Sequence, residues 1–336
     1  MNQGGGKNRR DFLKNCLTGG VVLGASGKLR LLDAAERNSL PLKSRVAIAH
    51  DPMLRGSGQM VDSGRIMGLL DRAMQSVFEL DHPAEPWKKL VRPGEKVGIK
   101  VNALGGRGLS SNLQLVEAIC QRLQEAGIRA SDIVIWDRET EEMEHSGCQI
   151  STAAGRVQCF GTDRVGYEDE LVTYGSVGSR LSKILTERCD ALINVPVLKD
   201  HDGAGVTIAL KNMYGVIHNP NKYHPNGCNP YVADLNMLPA IRTKMRLTIC
   251  DATTACYEGG PGFKPQYSWK ENALIVSQDP VALDHSGWRI IESKRAEMKL
   301  KTLEADSRAP RYIATAADAQ HRLGTNDPQR IALVEV

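Results

Sequence analysis

The sequence predicts an α/β protein whose mostly parallel sheet is flanked by helices. Short apolar segments rich in β-branched residues recur along the chain, and segments with apolar residues at helical spacing lie between them. An order of strand, helix and strand favours parallel pairing, because the helix carries the chain back to the start of the next strand. With 336 residues, 41% of them apolar, the chain is long enough to bury a large core as one domain or as two α/β lobes.

The first predicted lobe covers residues 45–178. Residues 112–128 show the clearest helical period and end near Gly127, a residue typical of helix C-termini. The segment 138–178 is rich in Gly, Ser and charge, which indicates a lid or an inserted subdomain. The remaining elements of this lobe are strands at 45–51, 95–102, 132–137 and 157–161, and a helix at 64–80.

The second predicted lobe covers residues 179–336. Its apolar run at 190–199 is typical of a buried strand, and the mostly apolar segment 206–217 is predicted to be a helix. The other predicted elements are helices at 181–189, 231–241, 280–294 and 312–324, and strands at 246–252, 273–278 and 331–336.

The amino terminus contains Arg9 and Arg10, followed by Phe-Leu-Lys and a short, glycine-rich apolar run. This order resembles a twin-arginine export signal, and the alternative is a plain basic tail. The resemblance implies that residues 1–36 are a signal peptide, that the twin-arginine export machinery is a partner, and that the protein is periplasmic or otherwise exported. The apolar run is shorter than the roughly 20 residues that span a bilayer, so we expect no stable membrane insertion.

Charge and cysteine spacing exclude other classes. The net charge is only +4 and aromatic residues are 5% of the chain, so we expect no nucleic-acid partner. Eight cysteines occur without a CxxC pair, which excludes the usual spacing of ferredoxin clusters and structural zinc sites. Most of them are expected to be buried apolar residues. Cys250 and Cys256 are close enough in sequence to be a disulfide candidate in an exported protein.

Polar residues follow several predicted strands. Because ligands bind beyond the carboxyl ends of parallel strands, we expect a charged cleft at this edge of the sheet. The alternative for each residue alone is a helix cap or a solvated loop. The residues are Lys100, Asn102, Asp137, Arg138, Lys199, Asp200, His201, Asp251 and Asp279.

The segment LKDHDGAGVTIALKN, residues 198–212, concentrates charge around a GAG turn. If the turn leads into a helix, its free N–H groups suit a carboxylate or phosphate. Thr207 and Lys211 would lie on the face of that helix start, and Lys100 and Lys199 could add cations from neighbouring strands. The segment lacks the GxxxxGK[ST] pattern of a Walker-type phosphate loop.

Five sequence blocks resemble the domain of unknown function 362 family over about residues 45–300. The blocks are INVPVLKDH, TIALKNMYGVI, YVADL, CDATTACYEGGPG and SQDPVALD. Some members of that family carry fused ferredoxin modules, but this chain lacks that module and its cysteine spacing.

A second resemblance, to the lactate racemase family, involves His201, Ala204, Gly205, Thr207 and Lys211. That family's lysine carries a nickel-pincer nucleotide and its histidine acts in acid–base catalysis, so the resemblance implies these roles for Lys211 and His201. The nickel-binding histidine of the family has only His218 and His224 as nearby counterparts, at a different spacing. Its Gly-Thr-His-Arg motif has no counterpart here.

A metal site is a further hypothesis, with nickel or iron as the ion of an otherwise unknown cofactor. Imidazole and carboxylate side chains are common metal ligands. Asp279 precedes a proline and could equally be a helix N-cap, and Asp284 on the next turn could reach the cleft. The candidate ligands are His201, His218, His224, Asp234, Asp251 and Asp279.

These observations favour an enzyme that binds a small anionic molecule. We expect Lys100, Asn102, Lys211 and Asn212 to hold the anion or a cofactor, and His201, Lys199 and Lys211 to be catalytic, with His201 as a proton carrier. The lactate racemase resemblance implies isomerase or racemase-like proton transfer. The alternatives are an exported iron–sulfur or metal redox protein and a periplasmic binding protein without catalysis.

Overall fold

Thirteen strands and ten α-helices occur within residues 43–336, the part of the chain that the computed structural model describes. The predicted signal peptide, residues 1–36, lies outside the described residues. The strands are β1 (Ser44–His50), β2 (Val97–Lys100), β3 (Ile133–Trp136), β4 (Gln158–Cys159), β5 (Val172–Tyr174), β6 (Val177–Ser179), β7 (Ala191–Asn194), β8 (Val197–His201), β9 (Gly205–Thr207), β10 (Met245–Cys256), β11 (Ser268–Trp269), β12 (Ala273–Ser277) and β13 (Ile331–Glu335). The helices are α1 (Ser63–Phe78), α2 (Glu85–Leu90), α3 (Leu113–Glu125), α4 (Thr140–Ser146), α5 (Lys183–Glu187), α6 (Ala209–Asn212), α7 (Tyr231–Asn236), α8 (Pro239–Arg242), α9 (Pro280–Glu297) and α10 (Tyr312–Ala317).

Eleven strands form one mixed, mostly parallel sheet, which confirms the α/β prediction. Its main order is β13-β1-β12-β10-β7-β2-β3-β4, and β12 alone runs against the other seven strands of that path. The chain passes from β10 to β12 without an α-helix, through a 3₁₀ turn and the short strand β11, and such a connection suits antiparallel neighbours. The carboxyl ends of β1, β2, β3, β7 and β10 therefore lie at one edge of the sheet.

Both faces of the sheet are buried. Alternate side chains of a strand point to opposite faces, so one strand contributes residues to two apolar clusters. Along β10, Leu247 and Ile249 belong to one apolar cluster, whereas Cys250 and Ala252 belong to the other. Helices α1 and α3 cover the first face, and helices α6, α7, α9 and α10 contribute to the second. The sheet thus forms the middle of three layers, which leaves its edge open for a site.

Helix α1 shows why the helices form where they do. Its buried residues recur at helical spacing, and the Asp62 side chain accepts a hydrogen bond from the Arg65 N–H at the N-terminus. Helix α9 begins in the same way: the Asp279 carboxylate accepts hydrogen bonds from Val281 and Ala282 at 2.9 Å. The N-cap interpretation of Asp279 is therefore the one that the structure supports.

The predicted helix at 206–217 is wrong in its first part. Gly205–Thr207 form β9, which pairs antiparallel with β8, so the GAG turn is the tip of a hairpin. Helix α6 is only one turn long and continues as a 3₁₀ turn. Gly205 has φ of +80° and its Cβ position lies 2.1 Å from the Arg308 carbonyl oxygen, so only glycine fits the hairpin.

The disulfide candidate is also wrong. Cys250 and Cys256 lie six residues apart on the extended strand β10, which separates them by about 20 Å at about 3.3 Å per residue.

The two predicted lobes, residues 45–178 and 179–336, both contribute strands to the large sheet. The division into two lobes stays a prediction. Within residues 43–336, no helix combines the length and the apolar composition that a membrane span requires.

Candidate functional site

A cleft of about 270 Å³ lies at the carboxyl edge of the sheet, beyond β2, β3 and β8. It brings together the predicted cations Lys100, Lys199 and Lys211 with two of the candidate histidines, His201 and His224. The lining residues are Lys100, Asn102, Leu104, Asp137, Arg138, Glu142, Lys199, His201, Thr207, Lys211, Asn212, Tyr214, Gly215, Pro220, Asn221, His224 and Pro261.

Lys199 reaches the cleft because the strand that carries it is interrupted. Pro196 separates β7 from β8, and its carbonyl oxygen accepts a hydrogen bond of 2.8 Å from the Asp251 N–H. Strand β8 then continues beyond β7, alongside the far end of β10. The Lys199 side chain is fully buried, and its Nζ donates to Asn102 Oδ1 at 2.7 Å.

Among the three lysines of the cleft, Lys100 is the one that forms an ion pair with a carboxylate. Its Nζ donates to Asp137 Oδ1 at 2.6 Å and to the Val101 carbonyl oxygen at 2.8 Å. Asp137 Oδ2 accepts the Ala103 N–H at 2.8 Å, so both carboxylate oxygens are used. This buried ion pair joins the ends of β2 and β3 and fixes one wall of the cleft.

Asp284 positions Lys211. Its two carboxylate oxygens accept the N–H groups of Ala209 at 2.7 Å and Leu210 at 3.2 Å, at the start of α6. The sequence allowed Asp284 to reach the cleft, but in the structure it does not. Its carboxylate occupies N–H groups at the start of α6, which are therefore not free for an anion. At the end of the same turn, Asn212 Nδ2 donates to Asn194 Oδ1 at 2.7 Å.

Lys199 and Lys211 lack a counter-ion. Lys211 Nζ lies 3.4 Å from His224 Nε2 and 4.5 Å from the centroid of the Tyr214 ring, and neither lysine forms a salt bridge with a carboxylate of the described residues. Burial lowers the pKa of each amine from 10.5 to about 8. For Lys199 the charge of Asp137 opposes this effect, and the charges of Lys211 and Lys100 add to it. The cleft therefore holds two amines that an anion would stabilise in their charged form.

His201 has a different role from the general base expected of it. Its Nδ1 accepts hydrogen bonds from the N–H groups of Gly203 at 3.0 Å and Ala204 at 3.2 Å, so the ring proton lies on Nε2. Burial, and then the positive charges of Lys211 and His224, lower the pKa of His201 to about 2. The ring is neutral at pH 7, and its Nε2–H is a hydrogen-bond donor.

His224 forms the wall next to His201. The two rings are stacked, with centroids 5.6 Å apart. Burial and the charge of Lys211 lower the pKa of His224. The preceding residue, Tyr223, anchors this segment: its hydroxyl donates to the Gly178 carbonyl oxygen, and its own carbonyl oxygen accepts from the Tyr214 hydroxyl, both at 2.6 Å.

Three predicted metal ligands lie away from the cleft. His218 is exposed, and its Nδ1 accepts the Arg180 N–H at 3.0 Å. Asp251 is buried and accepts N–H groups of Asn112 and Thr253. Asp279 caps α9, as described above. Backbone N–H groups thus occupy both carboxylate oxygens of Asp251 and of Asp279, and one ring nitrogen of His218.

Asp234 lies in a separate buried cluster. Its carboxylate contacts His321 Nε2 at 3.0 Å and accepts the hydroxyl and the N–H of Ser176 at 2.6 and 2.8 Å. Residues 43–336 contain no group of three His, Cys, Asp or Glu side chains that could hold a metal ion. The residues do not fit the nickel or iron site considered from the sequence.

Several cleft residues were not singled out from the sequence. Tyr214 lies one turn after Lys211, and this spacing could have indicated that its ring meets the amine. Glu142 also lines the cleft. Burial, and to a smaller extent the negative charge of Asp137, raises the pKa of its carboxyl group. Leu104 and Pro261 come from loops, and nothing in the sequence indicates that these loops meet.

A larger cleft of about 700 Å³ shares the loop after β2 with the smaller one. Arg55 on its wall already donates to neutral oxygens, including the carbonyl oxygens of Gln59 and Thr253 at 3.1 Å. Size alone favours this cleft, but the buried amines without counter-ions lie in the smaller one. We therefore place the candidate site in the smaller cleft.

Comparison with known proteins shows which family the chain belongs to. The family model described as "Domain of unknown function (DUF362)" matches residues 97–289, and no curated protein matches the chain. Among solved structures, the chain is similar to the lactate racemase apoprotein from Thermoanaerobacterium thermosaccharolyticum, with 13% identity and a TM-score of 0.39 over 65% of this chain and 54% of that chain. A protein from Thermotoga maritima is similar at 10% identity, with a TM-score of 0.37, over 72% of this chain and 60% of its own. The chain thus spans less than two thirds of either structure. Because the family model matches more than half of the 336 residues, the chain belongs to the DUF362 family.

Proposed function

We propose that the protein is an enzyme that binds a small carboxylate-bearing molecule in the smaller cleft and transfers a proton at the carbon next to the carboxylate. One observation carries this proposal: Lys199 and Lys211 are buried in the cleft without a carboxylate partner. Burying two ammonium groups together is costly, and an anion between them removes much of that cost.

The other groups of the cleft suit a carboxylate. The His201 Nε2–H can donate to it without carrying charge, and the side-chain amides of Asn102 and Asn212 are held by one hydrogen bond of 3.0 Å between them. For proton transfer, a neutral Lys211 amine or His224 Nε2 can accept a proton near pH 7, because burial lowers the pKa of both groups.

Calorimetric titration with glycolate, lactate, gluconate and inorganic phosphate tests the binding step. We expect Lys199→Met and Lys211→Met to weaken binding about 10–100-fold each, since a hydrogen bond to a charged group contributes about 1.5–3 kcal/mol. Lys89→Met removes an exposed lysine on α2 and serves as the control with unchanged affinity. Equal affinity in all four proteins would contradict the proposal.

Incubation of each bound acid in deuterated water tests the catalytic step. We expect deuterium at the carbon next to the carboxylate, detected by proton NMR, and loss of this exchange in Lys211→Met. Binding without any exchange would instead support the non-catalytic binding protein. Iron in the purified protein would support the redox alternative, which elemental analysis detects.

Export is part of the proposal and rests on the order of residues after Arg9 and Arg10. Replacement of both arginines by lysine is expected to leave the protein in the cytoplasmic fraction of its host, whereas the unchanged protein is found outside it. The same distribution for both forms would contradict export.

A further inference from the structure

The environment of Lys211 suits a reaction beyond anion binding. The residue is 6% exposed and lines the cleft, and its amine lies 3.4 Å from His224 Nε2, its hydrogen-bonding partner among the described residues. The Lys199 amine, in contrast, is fully buried and already donates to Asn102 Oδ1 at 2.7 Å. Both lysines line the cleft, but Lys211 is the more exposed of the two and its amine makes fewer close contacts.

A lysine that is desolvated beside another cation is an activated nucleophile, because its neutral form is populated near neutral pH. Lys211 meets both conditions. Burial lowers its pKa to about 8, and the neighbouring Lys199 is a second cation in the same cleft. An amine of this kind attacks carbonyl carbon.

We propose that Lys211 forms an imine with a small 2-oxo acid, whose carboxylate is held by the Lys199 ammonium and the His201 Nε2–H. This inference rests on the proposed function, since it uses the same cleft and the same carboxylate contacts. The cleft of about 270 Å³ restricts the substrate class to short-chain acids.

Formation of the imine releases one molecule of water. The Lys211 ammonium gives one proton to His224 Nε2, and the neutral amine adds to the carbonyl carbon while a proton passes from nitrogen to the carbonyl oxygen. The resulting carbinolamine loses its hydroxyl as water when His224 returns the proton, and a protonated imine remains. The positive imine nitrogen acidifies the C–H bonds of the next carbon along the chain. In a 2-oxo acid the carbon bonded to the carboxylate bears no hydrogen, so the proton that is moved lies one carbon further from the carboxylate than in a hydroxy acid.

Reductive trapping tests the imine. The protein is incubated with pyruvate and cyanoborohydride, and the adduct is located by mass spectrometry of peptides. We expect one adduct per chain, on Lys211, and none there without pyruvate. In Lys211→Arg the cation remains, so pyruvate binding measured by calorimetry is expected to fall less than tenfold, whereas the adduct and deuterium exchange at the pyruvate methyl group are lost.

The outcomes separate this inference from the proposed function. Pyruvate binding that depends on Lys199, without a trapped adduct on Lys211, overturns the imine and leaves the anion site in place. An adduct spread equally over exposed lysines such as Lys89 also overturns it. Absence of binding for every acid tested overturns both. Because Lys211→Arg is assessed by binding as well as by trapping, a variant that fails to fold is recognised. Lys89→Arg, at an exposed position of α2 outside the cleft, supplies the comparison: it is expected to keep the adduct on Lys211.

Discussion

Replacing Lys199 by methionine is expected to stabilise the protein while it impairs the site. Methionine has a similar unbranched shape but no charge. The lowering of the Lys199 pKa from 10.5 to about 8 is equivalent to about 3 kcal/mol of unfavourable free energy in the folded state, because one pKa unit equals about 1.36 kcal/mol. Loss of the hydrogen bond to Asn102 Oδ1 costs about 1 kcal/mol, so the net gain at pH 7 is about 2 kcal/mol.

The difference in unfolding free energy between Lys199→Met and the wild-type protein should depend on pH. The folded-state pKa of Lys199 lies below its unfolded value, so between about pH 8 and 10.5 the unfolded chain binds more protons and the wild-type protein gains stability as pH rises. The advantage of Lys199→Met should therefore shrink over this interval. Urea unfolding of both proteins at pH 7 and at pH 10 measures it. A variant less stable than wild type at pH 7, or a difference that is the same at both pH values, would refute the reasoning.

Three further predictions concern the framework. Arg308→Met should destabilise the protein by about 3–5 kcal/mol in urea unfolding, because it leaves the buried Asp200 carboxylate, now 3.1 Å from the guanidinium, without its partner; adding Asp200→Asn should restore part of the loss. Burial alone would lower the pKa of His321, but its hydrogen bond to Asp234 helps to raise it overall. This stabilisation is complete below the unfolded pKa of about 6.5 and is lost as pH rises through the folded value, so melting temperatures at pH 6 and 9 should differ less in His321→Gln than in wild type. Gly215→Ala would place a methyl carbon 2.7 Å from both members of the ion pair between β2 and β3, and it should cost about 1–3 kcal/mol in the same unfolding assay; unchanged stability would contradict this packing.

Local sequence patterns were sufficient for the fold class and for most elements. The helix predicted at 64–80 follows from its apolar period and lies at Ser63–Phe78 in the structure, and the buried strands follow from their β-branched runs. The convergence of Lys100, Lys199 and Lys211 could also be predicted. Lys100 ends β2, the predicted strand 190–199 ends at Lys199, and Lys211 lies in the segment that follows the GAG turn after that strand.

Long-range contacts decided what the sequence could not show. The apolar residues of segment 206–217 fit a strand or a helix equally well, and pairing of Gly205–Thr207 with β8 selects the strand. Asp284, 75 residues beyond Ala209, then sets where the helix begins. The role of His201 depends on two N–H groups that only the hairpin turn directs at its ring. None of these partners is indicated by spacing along the chain.

The anchored tyrosines determine how a molecule reaches the buried amines. Tyr223 is 1% exposed and hydrogen-bonded at both its hydroxyl and its carbonyl group, so the side of the cleft formed by His224 cannot swing outward without breaking those bonds. Leu104, another lining residue, is 51% exposed, so we expect a molecule to enter the cleft on the side of Leu104. A bulkier side chain at residue 104 would slow association and dissociation together while leaving the equilibrium constant nearly unchanged.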